Sequence, residues 1–120
     1  MKTILCVEDD DLNRNFIKKL IEINNFRAVM AASAEEGLEI AAKNPPDLIL
    51  MDITLGGMDG ITATQKLKSD VRVKNIPVIA LSAYAMQDYR DAALKAGCSD
   101  FITKPIDLKA FAAVLKKYLG

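Results

Sequence analysis

Three short apolar segments restrict the folds open to this chain more than any other feature of its sequence. They are ILCV at residues 4–7, LILM at residues 48–51 and VIAL at residues 78–81. Their apolar residues are continuous rather than alternating, which is typical of strands covered on both faces, as in a parallel sheet. Weaker strand candidates are RAVMA at residues 27–31 and FIT at residues 101–103.

A helical pattern follows each of these predicted strands. The first helix is expected to be capped by Asp10 or Asp11. Its expected buried stripe consists of Leu12, Phe16, Leu20 and Ile23. Residues 60–68 and 86–96 predict a short third and a fourth helix, and Asp107 is expected to cap the last. The expected buried stripe of that last helix consists of Leu108, Phe111, Leu115 and Leu119.

Strand and helix therefore alternate five times along 120 residues. This order predicts an α/β fold in three layers, a doubly wound parallel sheet with right-handed crossovers and helices on both faces. The length suits one domain, residues 1–120. In sheets of this class, ligands bind beyond the carboxyl ends of the strands, at the point where the strand order reverses.

Charge and residue content exclude several classes of function. Sixteen basic side chains balance sixteen acidic ones, so no net positive field attracts nucleic acid or a membrane. The chain has no histidine, which excludes His-based triads and most zinc sites. Cys6 and Cys98 are expected to be small buried hydrophobes rather than ligands or a disulfide. Without a signal sequence or a spanning segment, the expected location is the cytoplasm.

Polar side chains follow four of the predicted strands, at the points where the strands end. These residues are Glu8, Asp9, Asp52, Ser82 and Lys104. Because a parallel sheet places these ends on one rim, we expect the carboxylates, the hydroxyl and the ammonium to share one pocket. Each residue alone is explained as a cap, a turn or a surface group, whereas their joint placement indicates a site.

The chemistry of this group indicates a phosphoryl site built around a hard cation. Clustered carboxylates raise one another's pKa values unless a cation joins them. Oxygen ligands without His or Cys favour Mg²⁺, with Mn²⁺ as the second candidate. Mg²⁺ completes its shell with phosphate oxygens, which Lys104 and Ser82 are placed to hold. Asp52 is then the central candidate nucleophile.

Four motifs, in this order, resemble the receiver domain of two-component response regulators over nearly the full length. They are ILCVEDD (4–10), DLILMDITLGGMDG (47–60), PVIALSA (77–83) and AGCSDFITKPI (96–106). Residues 82–106 are similar to single-domain regulators of the DivK kind and to the receivers of hybrid kinases. The resemblance implies a flavodoxin-like strand order, 2-1-3-4-5.

The resemblance also implies how the acidic residues act. Asp52 is expected to accept a phosphoryl group from a phosphohistidine of a sensor histidine kinase or a histidine phosphotransfer protein. Glu8, Asp9 and Asp52 are expected to hold Mg²⁺ with the backbone carbonyl of Thr54. Glu8 replaces a commoner aspartate, and Gly56 stands where a proline is usual, which predicts a looser loop after Asp52.

Three further residues are implied to transmit the modification. Ser82 is the switch hydroxyl that engages the phosphoryl group, and Lys104 is the ammonium beside it, followed by a proline whose peptide bond is often cis. Phe101 is the aromatic that changes rotamer. The face formed by the fourth helix, fifth strand and fifth helix is expected to bind a downstream protein. Because the sequence ends at Gly120, we expect output through protein contacts rather than through a DNA-binding or enzymatic domain.

Three alternatives remain open on the sequence alone. A Mg²⁺-dependent phosphatase with Asp52 as nucleophile shares the motif DIT at residues 52–54, although such enzymes generally place an acid where Thr54 stands. A flavodoxin-like nucleotide binder would need a glycine-rich loop after the first strand, where this chain is acidic. A receiver-shaped interaction module that is never phosphorylated would not need the full set of site residues.

Overall fold

In the computed structural model, which describes residues 1–54, 58–84 and 86–120, five parallel strands alternate with five helices. The strands are β1 (Thr3–Val7), β2 (Arg27–Ala31), β3 (Leu48–Asp52), β4 (Val78–Ser82) and β5 (Asp100–Thr103). The helices are α1 (Asp11–Ile23), α2 (Ala34–Lys43), α3 (Gly60–Lys68), α4 (Gln87–Ala96) and α5 (Leu108–Leu119). The strands pair in the order β2-β1-β3-β4-β5, which confirms the predicted α/β fold.

The continuous apolar segments form the buried centre of the sheet. Every residue of β3 and β4 is buried, because helices cover both faces. Residues such as Leu5 and Met51 face the core shared with α2, α3 and α4. The neighbouring residues of the same strands, such as Cys6 and Leu50, face the core shared with α1 and α5. Cys6 and Cys98 are buried free thiols, as predicted.

Helix α1 buries only Leu20 of the four-residue stripe that its sequence predicts. Leu12 and Ile23 are 80% and 73% exposed, and Phe16 also lies at the surface. The buried residues of the helix are Ile17, Leu20 and Ile21. The prediction was wrong because two overlapping apolar stripes fit the helical period, and only the position of the sheet decides between them. Leu108 of α5 is likewise exposed, although the rest of its predicted stripe is buried.

Aspartate caps fix where three helices begin. Asp10 accepts a hydrogen bond from the backbone N–H of Asn13 at 2.9 Å, so it is the cap of α1. Asp59 and Asp107 cap α3 and α5 in the same way. Helix α4 begins one residue later than predicted, after Met86. Of the helices described, none combines the length and the apolar character needed to cross a membrane.

Candidate functional site

The carboxyl ends of β1 and β3 bring three acidic residues together. Parallel pairing places Val7 beside Met51, so the residues that follow them, Glu8 and Asp52, are neighbours. One carboxylate oxygen from each of Glu8, Asp9 and Asp52 lies within 4.8 Å of the others. Glu8 and Asp52 are only 1% and 2% exposed, whereas Asp9 lies at the surface. The rim therefore concentrates negative charge in a largely buried place.

Lys104 brings a positive charge to the two buried acids. Its Nζ lies 2.5 Å from Glu8 Oε1 and 2.9 Å from Asp52 Oδ2. The position of Lys104 is fixed by its backbone N–H, which donates to the carbonyl of Ser82 at 2.7 Å. The following peptide bond, to Pro105, is cis, as the resemblance implied. Lys104 thus bridges two strand ends that are far apart in sequence.

Thr54 donates hydrogen bonds to the second carboxylate oxygen of Asp52. Its backbone N–H and its hydroxyl donate to Asp52 Oδ1 at 2.8 Å and 2.7 Å. Both oxygens of the Asp52 side chain are therefore hydrogen-bonded, one to Thr54 and one to Lys104. The sequence pointed only to the Thr54 carbonyl, but the spacing of an aspartate and a threonine two residues later permits this side-chain contact.

The pKa values of Glu8, Asp52 and Lys104 are all shifted from their ordinary values. Burial and the neighbouring Asp52 raise the pKa of Glu8 to about 7, against the influence of Lys104. Burial alone would also raise the pKa of Asp52, but hydrogen bonds with Glu8, Lys104 and Thr54 outweigh it and lower that pKa. Burial would lower the pKa of Lys104, but its bonds to both acids raise it. At neutral pH, Asp52 is ionised and Lys104 is charged.

The donor set at the rim fits Mg²⁺. The three carboxylates offer oxygen ligands within one small volume, which is what a hard divalent cation requires. The nearby thiol of Cys6 points into the core, and burial raises its pKa far above neutrality, so it does not act as a thiolate ligand. Mn²⁺ accepts the same oxygen donors. The loop predicted to be loose at Gly56 lies outside the described residues.

Ser82 is buried at the end of β4, the strand next to β3. Its hydroxyl accepts a hydrogen bond from the backbone N–H of Tyr84 at 3.0 Å. The ring of Tyr84 in turn stacks on the ring of Tyr89 of α4, with centroids 4.9 Å apart. In this state Ser82 therefore contacts the segment leading into α4, while its strand position keeps it beside the rim.

Phe101 is buried in β5 beneath a cation. Its ring belongs to the core shared with α3 and α4. The guanidinium of Arg90 lies over that ring, 4.8 Å from its centroid. The sequence analysis did not predict this contact of Arg90 with Phe101. The structure thus couples the predicted switch aromatic to a charged group on α4.

Gly60 is a second residue whose importance the sequence did not reveal. A Cβ at this position would lie 2.2 Å from the carbonyl oxygen of Asp52 and 2.6 Å from the Cα of Ile53. The first turn of α3 therefore packs directly against the backbone that carries Asp52. In the sequence, Gly60 stands at the start of the predicted third helix, and nothing there indicates this close approach.

The chain matches known proteins over nearly its whole length. Residues 4–116 match the family described as response regulator receiver domain. The chain is 39% identical to the polar-differentiation response regulator DivK of Brucella ovis over 119 residues, covering 99% of this chain and 97% of that protein.

Solved structures agree with this match. The receiver domain of the sensor histidine kinase PA1611 from Pseudomonas aeruginosa, with a magnesium ion coordinated in its active site cleft, is 30% identical with a TM-score of 0.91. That similarity covers 98% of this chain and 96% of the other. The chemotaxis protein CheY4 of Vibrio cholerae has a TM-score of 0.93 at 20% identity, covering 99% of each chain, which shows the shared fold.

Proposed function

Because the chain belongs to the receiver domain family of response regulators, we propose that Asp52 accepts a phosphoryl group from a phosphohistidine. The donor is a sensor histidine kinase or a histidine phosphotransfer protein. The observation that carries the proposal is the Asp52 carboxylate, buried and ionised beside Glu8 and Lys104 at the rim of the sheet. We further propose that residues 1–120 form one receiver domain that acts in the cytoplasm.

The transfer needs an ionised carboxylate, which the lowered pKa of Asp52 provides. An Asp52 oxygen attacks the phosphorus atom, and the P–N bond to the donor imidazole breaks. The bonding electron pair stays on the imidazole nitrogen, which takes up a proton if the ring needs one to become neutral. The product is an acyl phosphate. Attack by water on its phosphorus returns Asp52 and inorganic phosphate, which is the proposed autodephosphorylation.

Lys104 and the acidic residues have separate tasks in this scheme. The ammonium of Lys104 already lies 2.9 Å from Asp52 and is placed to bind an oxygen of the arriving phosphoryl group. Glu8, Asp9, Asp52 and the Thr54 carbonyl would hold Mg²⁺. When bound, the cation offsets the negative charge of the phosphoryl group.

Signalling follows from the exchange of contacts at Ser82. A phosphoryl group on Asp52 offers the Ser82 hydroxyl a charged acceptor, in place of its present contact with the Tyr84 N–H. The segment that carries Tyr84 then changes position, and with it the surroundings of Phe101. The proposed output is a protein that binds the face formed by α4, β5 and α5, without direct nucleic-acid contact or membrane insertion.

A transfer assay tests this function. The protein is mixed with a phosphotransfer domain loaded on its histidine, with Mg²⁺ or with EDTA, and phosphoprotein is followed by intact mass. We expect one added phosphoryl group with Mg²⁺ and little with EDTA. Asp52→Asn should remain unlabelled, whereas the matched control Asp10→Asn, which alters only the cap of α1, should be labelled. Undiminished labelling of Asp52→Asn contradicts the proposal.

The same samples separate the alternatives. A phosphatase would turn over a small phosphomonoester many times, whereas the proposed receiver releases no more phosphate than it first accepted from its donor. An interaction module that is never phosphorylated would remain unlabelled by every donor tested.

A further inference from the structure

A cavity of 480 Å³ opens at the amino end of the sheet, where the first residues of β1 and β2 meet the end of α2. Leu5 of β1, Val29 of β2 and Ile40 of α2 give it an apolar lining, which Pro45 and Pro46 extend. The proline rings fix the backbone after α2, and the two strands are paired along their length, so the cavity is formed without a ligand. Its volume falls within the range of small-molecule sites, about 300–1,000 Å³.

The cavity lies at the opposite end of the sheet from the phosphoryl site. Thr3, which lines the cavity, stands five residues before Glu8. At a rise of about 3.3 Å per residue, the two residues are about 16 Å apart along the strand. The transfer proposed for Asp52 therefore makes no use of this cavity.

The polar part of the lining contains cations and neutral groups but no acid. It consists of Thr3, Arg27, Lys43 and Asn44. The Nζ of Lys43 lies 2.9 Å from Oε1 of Glu39 on the exposed side of α2. In the part of the chain that the structure describes, no hydrogen bond or ion pair involves the guanidinium of Arg27, the hydroxyl of Thr3 or the side-chain amide of Asn44. Three groups able to donate hydrogen bonds thus border an apolar cavity.

Two acids adjoin the cavity and limit the charge that it accepts. Glu39 shares the ammonium of Lys43, and Asp47 accepts a hydrogen bond from the backbone N–H of Thr3 at 2.7 Å. Neither forms an ion pair with Arg27 among the described residues. One guanidinium is therefore available for one negative charge, whereas a dianion would also meet the two acids as like charges.

We propose that this cavity binds a small amphipathic carboxylate, a monoanion whose apolar part is an alkyl or aryl group. The planar fork of Arg27 matches the two oxygens of a carboxylate, and Thr3 and Asn44 add neutral donors. The apolar part of the ligand lies against Leu5 and Val29, out of water. This inference goes beyond the proposed function and does not depend on it.

The lining disfavours ligands of other chemistry. A small cation would meet Arg27 and Lys43 as like charges. A neutral apolar molecule would fill the cavity but would leave the guanidinium without an anionic partner, so it should bind more weakly. The charge and the apolar part of the ligand are therefore both needed for binding.

A titration with matched ligands tests the inference. Amide spectra of the isotope-labelled protein are recorded as hydrocinnamate or hexanoate is added, and again with the uncharged hydrocinnamamide or hexanamide. We expect the carboxylates to shift the amide signals of Leu5, Val29 and Ile40, with a dissociation constant of about 1 mM or lower. The uncharged amides should bind about fivefold more weakly or less tightly still.

Substitutions of basic residues show whether the cavity itself holds the ligand. Arg27→Gln should weaken carboxylate binding about fivefold, and Arg27→Lys should weaken it less, because it keeps the charge and loses only the fork. Lys43→Gln should have a smaller effect than Arg27→Gln, since Glu39 already shares that ammonium. The matched control is Arg72→Gln, which removes an exposed arginine paired with Asp70 outside the cavity and should bind as the parent does.

Four results would overturn the inference. They are binding of neither carboxylate, equal binding of a carboxylate and its uncharged amide, unchanged affinity in Arg27→Gln, and shifts that leave the signals of Leu5, Val29 and Ile40 in place. The spectra of each variant without ligand show whether it is folded. Because no phosphoryl donor or Mg²⁺ is present, the result is independent of whether Asp52 is phosphorylated.

Discussion

At the carboxyl end of the sheet, Glu8 and Asp52 are buried beside each other and share one lysine. At the amino end, the acid Asp47 is exposed and accepts a hydrogen bond from the backbone N–H of Thr3 at 2.7 Å. The first arrangement brings like charges together out of water, which opposes folding, whereas the second only supports it. Both ends belong to the same strands, so the fold itself does not require the unfavourable one.

The difference between the two ends indicates that the acidic cluster at the carboxyl end lowers the stability of the fold and serves the chemistry of the site. Acidic side chains with perturbed pKa values cluster where a protein binds a cation or transfers a group. If this explanation holds, changes at the carboxyl end should affect stability and Mg²⁺ binding together, and changes at the amino end should affect stability alone. Three substitutions test that separation.

Gly60→Ala should have the largest effect. The added Cβ would overlap the backbone of Asp52 and Ile53, which cannot move aside as a side chain can. We expect the free energy of unfolding, measured in urea, to fall by about 3 kcal/mol or more, and Mg²⁺ affinity to fall with it. The matched control is Gly37→Ala, also within a helix, whose Cβ would meet only the side chain of Val7. Equal losses in the two variants would contradict this account.

Glu8→Gln should stabilise the metal-free protein at high pH. The folded state raises the pKa of Glu8 from 4.5 to about 7, so folding favours its protonated form. Protonated Glu8 therefore contributes to the free energy of unfolding. This contribution is fully present below the pKa of Glu8 in the unfolded state. It is lost as the pH rises through the pKa in the folded state, and the loss is about 3 kcal/mol. In urea titrations with EDTA, the variant should exceed the parent by about 2–3 kcal/mol at alkaline pH and match it under acidic conditions.

Mg²⁺ should reverse the order of these two proteins. The cation stabilises the parent through Glu8, and it should stabilise Glu8→Gln less. If the free energy of unfolding of the two proteins in EDTA depended on pH in the same way, Glu8 would not be the acid whose pKa is raised by folding.

Asp47→Ala should have the smallest effect. Losing the bond to the Thr3 N–H at an exposed position should lower the free energy of unfolding by about 1 kcal/mol. The loss should be the same with and without Mg²⁺, because Asp47 lies at the opposite end of the sheet from the acidic cluster. A changed Mg²⁺ affinity in this variant would show that the two ends are coupled after all.

The sequence predicts the fold and the membership of the rim because strand ends are local features. The continuous apolar segments identified β1, β3 and β4. The end of each segment then identified the polar residue that lies at the rim. The face of α1 was predicted wrongly, since the choice between its two apolar stripes depends on the position of the sheet. The hydroxyl bond of Thr54, the close approach at Gly60 and the contact of Arg90 with Phe101 depend on distances that no spacing along the chain encodes.

The central claim is that Asp52 carries the phosphoryl group, and reductive trapping tests it most directly. Borohydride reduces an acyl phosphate to an alcohol, so a phosphorylated aspartate becomes homoserine, which peptide mass mapping locates. After transfer from a phosphohistidine donor with Mg²⁺, we predict homoserine at position 52 and at neither Glu8 nor Asp9. Homoserine at one of those two acids, or an unreduced position 52 in a protein that has taken up phosphate, would contradict the account.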